Sequence, residues 1–215
     1  MVYSYRSLMF FGIIFIAILG KTDEATARGT HFLVEPYTGL VFNQGFNLEN
    51  AVGFESGALL GIGGKLKGFP PRFYLYLSAA QTFFGEDLVH IRSRDANGIV
   101  QRSYTRVVGG LRTVIPLVWH FRLNLQVAGG SMFSQNRYKE SGMDPIEYSE
   151  DLAIVELGLG LNWRFFRWLS VGLMYDYTFV AEHEHGDLIA TILGEDRYGS
   201  QLGWSHLTAT VGFHF

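Results

Sequence analysis

The residues of this chain whose types and spacing could support catalysis lie close to its carboxyl end. Ser205 and His206 are adjacent, and a hydroxyl group beside an imidazole is the pair that nucleophilic catalysis requires. Adjacent residues of a strand point to opposite faces, however, so these two side chains could not share a proton directly. We therefore predict no catalytic residue here and no enzyme activity.

A second group of reactive side chains is the segment 182–187, which contains His183 and His185 among acidic residues. In an extended segment the two imidazoles would point the same way and could bind a divalent metal. No third or fourth ligand follows at a spacing typical of zinc sites. We therefore favour a polar surface loop, with no metal and no cofactor.

The most numerous reactive side chains are charged residues that alternate with apolar ones. Buried charges are tolerated when they are paired, and the planar guanidinium group suits bidentate pairing with a carboxylate. We predict a network of salt bridges that plugs the lumen of a barrel; the alternative is that some of these charges line a gated polar path. The inward-facing residues are Glu35, Glu55, Arg106, Arg112, Arg122, Glu156, Arg164 and Asp176.

The elements that position these side chains are strands. Between Val155 and Phe165, apolar and polar residues alternate with a period of two, which no helical period fits. Most of the strands have the ~9–11 residues that cross a bilayer when tilted. The same alternation, weaker elsewhere, predicts eight strands at 31–42, 53–65, 72–84, 103–115, 119–134, 152–165, 168–181 and 203–215.

The connections between these strands alternate in length. Short turns are expected around 66–71, 116–118 and 166–167, and longer loops at 43–52, 85–102, 135–151 and 182–202. Outer-membrane barrels have short periplasmic turns and long extracellular loops. The pattern therefore predicts an all-β fold, an eight-stranded antiparallel transmembrane β-barrel with both chain ends at the periplasmic side.

Aromatic residues cluster at the predicted strand ends, where amphipathic rings favour the headgroup boundary, so we expect two girdles. The periplasmic girdle would contain Phe69, Phe73, Trp119, Phe121, Phe165, Phe166, Trp168, Phe213 and Phe215. The outer girdle would contain Phe42, Phe46, Phe83, Phe84, Phe133, Tyr177 and Phe179.

The front of the chain has the features of a secretion signal. Arg6 precedes an apolar run, 8–20, whose helical length of about 20 Å is too short for a hydrocarbon core of about 30 Å. Small residues then stand at positions −3 and −1 of a cleavage site after Ala27. We predict a signal peptide over 1–27, an outer-membrane barrel domain over 28–215, and export to the cell outer membrane.

Composition excludes several classes of protein. A net charge of −3 provides no basic field, so nucleic acid is not expected as a partner. Zero cysteines exclude a disulfide framework and lipid attachment at a cysteine. A soluble, lipocalin-like barrel would show the same alternation with its apolar face inward. The glycine-rich polar faces and the aromatics at strand ends favour the membrane barrel.

One predicted loop contains a hairpin signal, Asn97-Gly98, between two β-prone runs. It predicts that the third and fourth strands continue beyond the membrane as a ribbon. Arg92, Arg94, Arg102 and Arg106 would make that ribbon basic, which suits contact with lipopolysaccharide phosphates or another anionic partner. A solvated hairpin whose charges prevent aggregation is an equally good interpretation.

The last strand carries the most specific pattern, because apolar residues on one face alternate up to the terminal Phe215. With this strand the chain resembles the small eight-stranded outer-membrane β-barrel proteins of Gram-negative bacteria, over the whole of 28–215. Thr208, Phe213 and Phe215 look like the signal that the barrel-assembly machinery reads. Thr210 stands where that signal has a glycine.

The resemblance implies several functions, because this family includes structural barrels, adhesion proteins, small-solute carriers and lipid-modifying enzymes. Lipid A deacylase barrels carry a histidine and a serine two residues apart, and His206 and Thr208 share that spacing without the surrounding motif. We expect a charge-plugged barrel with a structural or surface-interaction role in the envelope. The alternative is a narrow carrier or channel for small solutes, and the third hypothesis is a lipid-modifying enzyme. Expected partners are outer-membrane lipid, lipopolysaccharide and the assembly machinery, with the protein a monomer.

Overall fold

The strands of this protein form one closed sheet. The computed structural model describes residues 30–44, 52–66, 68–91, 96–140, 144–180 and 202–215. Each strand pairs with the next in antiparallel orientation, and the last pairs with the first, so the sheet closes into a barrel. The strands are β1 (His31–Gln44), β2 (Val52–Lys65), β3 (Arg72–Ile91), β4 (Ala96–Pro116), β5 (Phe121–Glu140), β6 (Ile146–Arg164), β7 (Leu169–Val180) and β8 (Leu202–His214).

The seam between β1 and β8 is completed by the final residue. Phe32 N donates a hydrogen bond to Phe215 O at 3.0 Å, and Phe215 N donates one to Phe32 O at 2.9 Å. Both chain ends of the barrel therefore lie at the same end as the turns 66–71, 117–120 and 165–168. We call this the turn end, which faces the periplasm in outer-membrane barrels, and the opposite end the outer end.

Alternation along the strands separates an apolar outer face from a polar interior. The outward side chains of Leu60 and Leu173 are 56% and 59% exposed, whereas their inward neighbours are buried or nearly so. This belt of exposed leucines suits contact with lipid, and it is the reverse of a soluble barrel with an apolar interior. Among the described residues no helix is long and apolar enough to span a membrane.

The strands at the centre of the chain are longer than predicted. β3 continues to Ile91 and β4 begins at Ala96, and β5 and β6 pair as far as Tyr138 with Ile146. The predicted ribbon of two strands is therefore present and is widened to four. Most of the segments 85–102 and 135–151, expected to be loops, are strand. They lack a clean apolar alternation because their outward face no longer meets lipid.

Because of the turn between β4 and β5, strand β5 begins later than predicted. Trp119 and His120 have φ angles of 58° and 70°, a left-handed conformation that cannot continue a strand. Leu117 N donates to Phe121 O at 2.8 Å and closes the turn. β5 consequently starts at Phe121, two residues beyond the predicted boundary at position 119.

The aromatic residues follow the predicted girdles with one correction. At the turn end Trp119 is 84% exposed, and Phe166 stacks on Trp168 with ring centroids 5.6 Å apart. At the outer end Phe83 is exposed, but Phe84 points into the barrel with only 8% exposure. Neighbouring strand residues face opposite sides, so Phe83 and Phe84 could not both belong to the outer girdle. The predicted girdle residue Phe46 lies outside the described residues.

Candidate functional site

The centre of the lumen contains a buried arginine between two carboxylates. Arg106 on β4 donates from Nη2 to Glu55 Oε1 on β2 at 2.9 Å, and its Nη1 pairs with Glu156 Oε2 on β6. All three side chains are buried. Since they come from strands on different sides of the barrel, the ion pairs cross the lumen and tie its walls together.

A second set of polar contacts lies beside the first. Arg112 Nη1 donates to Glu35 Oε1 at 2.7 Å, and its Nε and Nη2 donate to Gln126 Oε1 at 2.9 and 2.7 Å. The amide of Gln126 in turn donates to Asp176 Oδ1 at 2.5 Å. Arginine, glutamine and two acids thus form a chain of hydrogen bonds across the interior. The buried charged residues of both sets together form what we call the central charge layer. It consists of Glu35, Glu55, Arg106, Arg112, Glu156 and Asp176.

The interior also aligns an acid, an imidazole and a hydroxyl. His206 Nδ1 lies 3.3 Å from Glu55 Oε2, and His206 Nε2 lies 3.0 Å from Thr178 Oγ1. Sequence reasoning missed Thr178, because only the pairing of β7 with β8 brings it beside His206. His206 Nδ1 makes no hydrogen bond among the described residues, and Thr178 is 0% exposed and has no surface at which a substrate could meet it. The arrangement therefore supports packing rather than nucleophilic catalysis.

The other hydroxyls near His206 point elsewhere. Ser205 is directed to the opposite face, where its Oγ lies 3.0 Å from Tyr175 Oη. This matches the expectation that Ser205 and His206 do not share a proton. Thr208 is buried in the interior, whereas Phe215 is 71% exposed at the turn end. A role of Thr208, Phe213 and Phe215 in assembly stays a prediction.

An aromatic cluster closes the lumen on the outer side of the central charge layer. Trp204 meets Tyr104 edge-on with ring centroids 4.5 Å apart, and meets Phe84 in the same way at 5.4 Å. Arg102 covers the Phe84 ring at 4.8 Å from its centroid. Arg102 is thus buried inside the barrel, as Arg106 is, which corrects the prediction that these two residues belong to a basic outer surface. It faces inward because it is an even number of residues from Arg106 on the same strand.

The remaining space in the central charge layer is small. A cavity of about 20 Å³ lies among Tyr76, Arg106, Arg112 and Asp176. That volume corresponds to about one water molecule. The interior at this level is therefore filled by side chains, as expected for a barrel of eight strands.

Arg122 and Arg164, predicted to join the same network, lie at the turn end instead. Both are partly exposed, and in the described part of the chain no ion pair joins either one to a carboxylate. Arg164 Nε donates to the backbone oxygen of Phe166 at 3.1 Å. Alternation predicted their inward direction but not their depth along the barrel axis. The segment with His183 and His185, and the arginines Arg92 and Arg94, lie outside the residues whose side chains the structure describes.

Comparisons with known proteins identify the fold. No family model matches the sequence, and no curated protein matches it. A major outer membrane protein from Thermus thermophilus has a TM-score of 0.54 at 12% identity, over 87% of this chain and 100% of that one. Ail, the attachment invasion locus protein of Yersinia pestis, solved with the heparin analogue sucrose octasulfate, has a TM-score of 0.51 at 11% identity, over 87% and 99%. Neisserial surface protein A has a TM-score of 0.46 at 9% identity, over 87% and 100%.

These identities are low, so the likeness concerns the fold. It agrees with what the molecule shows by itself, namely a closed antiparallel sheet, an exposed apolar belt and a charged interior. Since a sheet without edges is the only sheet form that can span a bilayer, the belt and the closure point to the same environment. The protein is a small eight-stranded β-barrel of the outer-membrane type.

Proposed function

We propose that the protein is a closed envelope barrel that makes contacts at the cell surface through its protruding sheet. The protruding sheet is the part of β3–β6 beyond the last pairs of the neighbouring strands, Gly53 with Phe84 on one side and Ile154 with Val180 on the other. We propose further that the barrel is a monomer, contacts outer-membrane lipid through its apolar belt and lipopolysaccharide through the protruding sheet, and is inserted by the assembly machinery.

The observation that carries this proposal is a change in the outward face of β3–β6. Within the belt, outward residues such as Leu111 and Val127 are apolar, but beyond Phe83 they become polar. There the sheet forms a concave surface with a cavity of about 700 Å³. Its polar lining residues include Glu86, Gln101, Ser103, Gln135, Arg137, Glu147 and Ser149. A polar concave face beyond the lipid belt is a surface that a partner could contact.

The polar side chains of this surface are held in place by one another. Gln101 Nε2 donates to Glu86 Oε1 at 2.5 Å, and Arg137 Nε lies 3.6 Å from Glu147 Oε1. The backbone pairing of β3–β6 sets the register of the protruding sheet, and cross-strand pairs of this kind add to its stability. A preorganised surface loses less entropy on binding than a flexible loop does, which supports a role in recognition.

Most of the protruding sheet can be removed without touching the barrel. We would replace 87–100 by Asn-Gly, which joins Glu86 to Gln101, and 135–149 by Asn-Gly, which joins Ser134 to Glu150, because both pairs of residues are already partners in the sheet. Cells that display the full-length barrel are expected to bind heparin or lipopolysaccharide, and the trimmed barrel to lose that binding. Heparin is chosen because Ail was solved with a heparin analogue. Binding is measured with labelled ligand on whole cells.

A control separates the sheet from its tip. Replacing only 92–95 by a neutral turn leaves the paired part of β3 and β4 intact and is expected to preserve binding. Both variants should still migrate faster on a gel when unheated than when boiled, which reports a closed barrel. If the trimmed barrel binds as well as the full one, or if neither ligand binds, the proposed surface role is wrong.

The proposal also predicts that the barrel conducts no ions, in contrast to a narrow carrier or channel. The central charge layer leaves a cavity of only about 20 Å³, and Trp204 with its aromatic neighbours covers it on the outer side. Planar bilayers with reconstituted protein should therefore stay silent. Steady conductance that changes in Arg112→Gln or Glu156→Gln would favour the channel instead.

A further inference from the structure

The turn end of the barrel gathers basic side chains around a cavity. Its volume is about 550 Å³, and it opens beside the exposed rings of Phe166 and Phe215. No acidic side chain is among the described residues that line it. The basic groups around it include His31, Arg72, Arg122, Arg164, Arg167 and His214, which we call the basic mouth.

The strand register explains why these residues converge. Arg122 on β5 is the partner of Asn162 on β6, and Arg164 follows Asn162 by two residues on the same face. Arg164 is in turn the partner of Ser170 on β7, whose hydroxyl lies 2.9 Å from His214 Nε2 on β8. The neighbouring strands β5, β6 and β8 therefore each place a basic side chain at the turn end of the barrel, and β7 places there the serine that contacts one of them.

Like charges act on one another across this cavity. Arg72, Arg122, Arg164 and His214 line the same cavity, so a positive charge on any one of them is repelled by the others. Arg72 Nη1 is buried without a hydrogen-bond partner in the described part of the chain. The central charge layer differs sharply, since there Arg106 and Arg112 each pair with a carboxylate. Repulsion of this kind is relieved when an anion occupies the space.

The backbone oxygen of Phe215 beside this cavity is used by the seam between β1 and β8, since it accepts the hydrogen bond from Phe32 N at 3.0 Å. Arg164 Nε donates a hydrogen bond to Phe166 O. Among the described residues no carboxylate forms an ion pair with the terminal nitrogens of Arg164 or with Arg122. These guanidinium groups can therefore form the paired hydrogen bonds that phosphate oxygens accept.

We propose that the basic mouth binds a phosphate group. Several arginines around one cavity fit a tetrahedral, multiply charged anion better than a single carboxylate. The cavity lies where the strands end and aromatic rings are exposed, which is the level of lipid headgroups in a membrane barrel. The phosphate could belong to a phospholipid headgroup or to a soluble anion, and the two share this chemistry.

The first test uses the unmodified protein in zwitterionic detergent. Pyrophosphate is added and its binding followed by the phosphorus-31 resonance, while native mass spectrometry measures retention of phosphatidylglycerol against phosphatidylcholine. Modification of arginines by phenylglyoxal is mapped in parallel. The bound anion should protect Arg122 and Arg164, and it should leave the distant, exposed Arg137 as reactive as before.

Variants then test the residues. Arg122→Gln combined with Arg164→Gln should weaken binding by ~10-fold or more, because two charge-assisted contacts are lost. Arg122→Lys with Arg164→Lys keeps the charge but loses the paired hydrogen bonds, so its binding should lie between that of the unmodified protein and that of the double glutamine variant. Arg137→Gln removes the same charge at the outer end and should leave binding unchanged. The gel shift on heating shows that each variant remains a closed barrel.

The outcomes distinguish the two sources. Retention of phosphatidylglycerol without pyrophosphate binding assigns the phosphate to a lipid headgroup, and the reverse assigns it to a soluble anion. Absence of both, or protection of Arg137 as strong as that of Arg122, overturns the proposal. Equal losses in the double glutamine variant and in Arg137→Gln overturn it as well.

Discussion

Replacing Arg106 by methionine should lower the free energy of unfolding by about 3–5 kcal/mol, because it strands two buried carboxylates. Arg106 pairs with Glu55 at 2.9 Å and also with Glu156, and neither acid is exposed to solvent. Methionine has a similar length, so the change removes the charge with little change in volume. Urea unfolding in lipid vesicles, followed by tryptophan fluorescence, measures the loss.

Two controls show that the loss comes from the stranded charges. Arg137→Met removes an arginine whose pair with Glu147 is exposed, so it should cost no more than ~1 kcal/mol. Adding Glu55→Gln and Glu156→Gln to Arg106→Met should restore much of the stability, because the two acids that Arg106 pairs with then carry no charge. If Arg106→Met is as mild as Arg137→Met, the ion pairs do not stabilise the barrel.

Replacing Trp204 by alanine is the second change with a large expected effect. The Trp204 side chain is almost completely buried and contacts Phe84 and Tyr104 edge-on. Removing so large a buried ring leaves a cavity and should cost ~3–5 kcal/mol. The loss is measured by the same unfolding in urea, with circular dichroism as the signal because a tryptophan is removed.

The exposed Trp119 provides the matched control. It is 84% exposed in the turn between β4 and β5, so Trp119→Ala creates no cavity and should change the stability by much less. Conductance should stay absent in Trp204→Ala, because the central charge layer lies beneath the aromatic cluster. A loss of stability no greater than that of Trp119→Ala would show that the aromatic cluster is not part of the structural core.

The fold could be predicted from the sequence because period-two alternation separates the two faces of each strand, while the glycine-rich polar faces and the aromatics at strand ends indicate which face meets lipid. That signal predicts β7 and β8 with small errors at their ends. It fails beyond the membrane, where the outward face of the sheet is mostly polar. There the hairpin signal at Asn97-Gly98 predicts that β3 and β4 continue, but nothing in the pattern predicts that β5 and β6 extend to Glu140 and begin at Ile146. The alternation also fails at Trp119. The backbone there is left-handed, so β5 starts late, and no glycine in the sequence indicates this conformation.

The interior could be predicted less completely, since alternation gives direction but not depth. It placed Glu55 and Arg106 on inward faces, yet their contact depends on how β2, β3 and β4 are aligned. The same limit explains Arg122, which points inward but lies at the turn end. Thr178 was missed because its contact with His206 exists only through the register of β7 and β8.

The seam between Phe32 and Phe215 has a consequence for the order of events during folding. Pairing of β1 with β8 joins segments at opposite ends of the described chain, which makes barrel closure the most non-local step of folding. Until β8 arrives, β1 and β7 each present an unpaired edge that can pair with another chain. Chains in which β8 has not yet paired are therefore the form most prone to aggregate. A chaperone would be needed before the barrel is inserted into the membrane rather than afterwards.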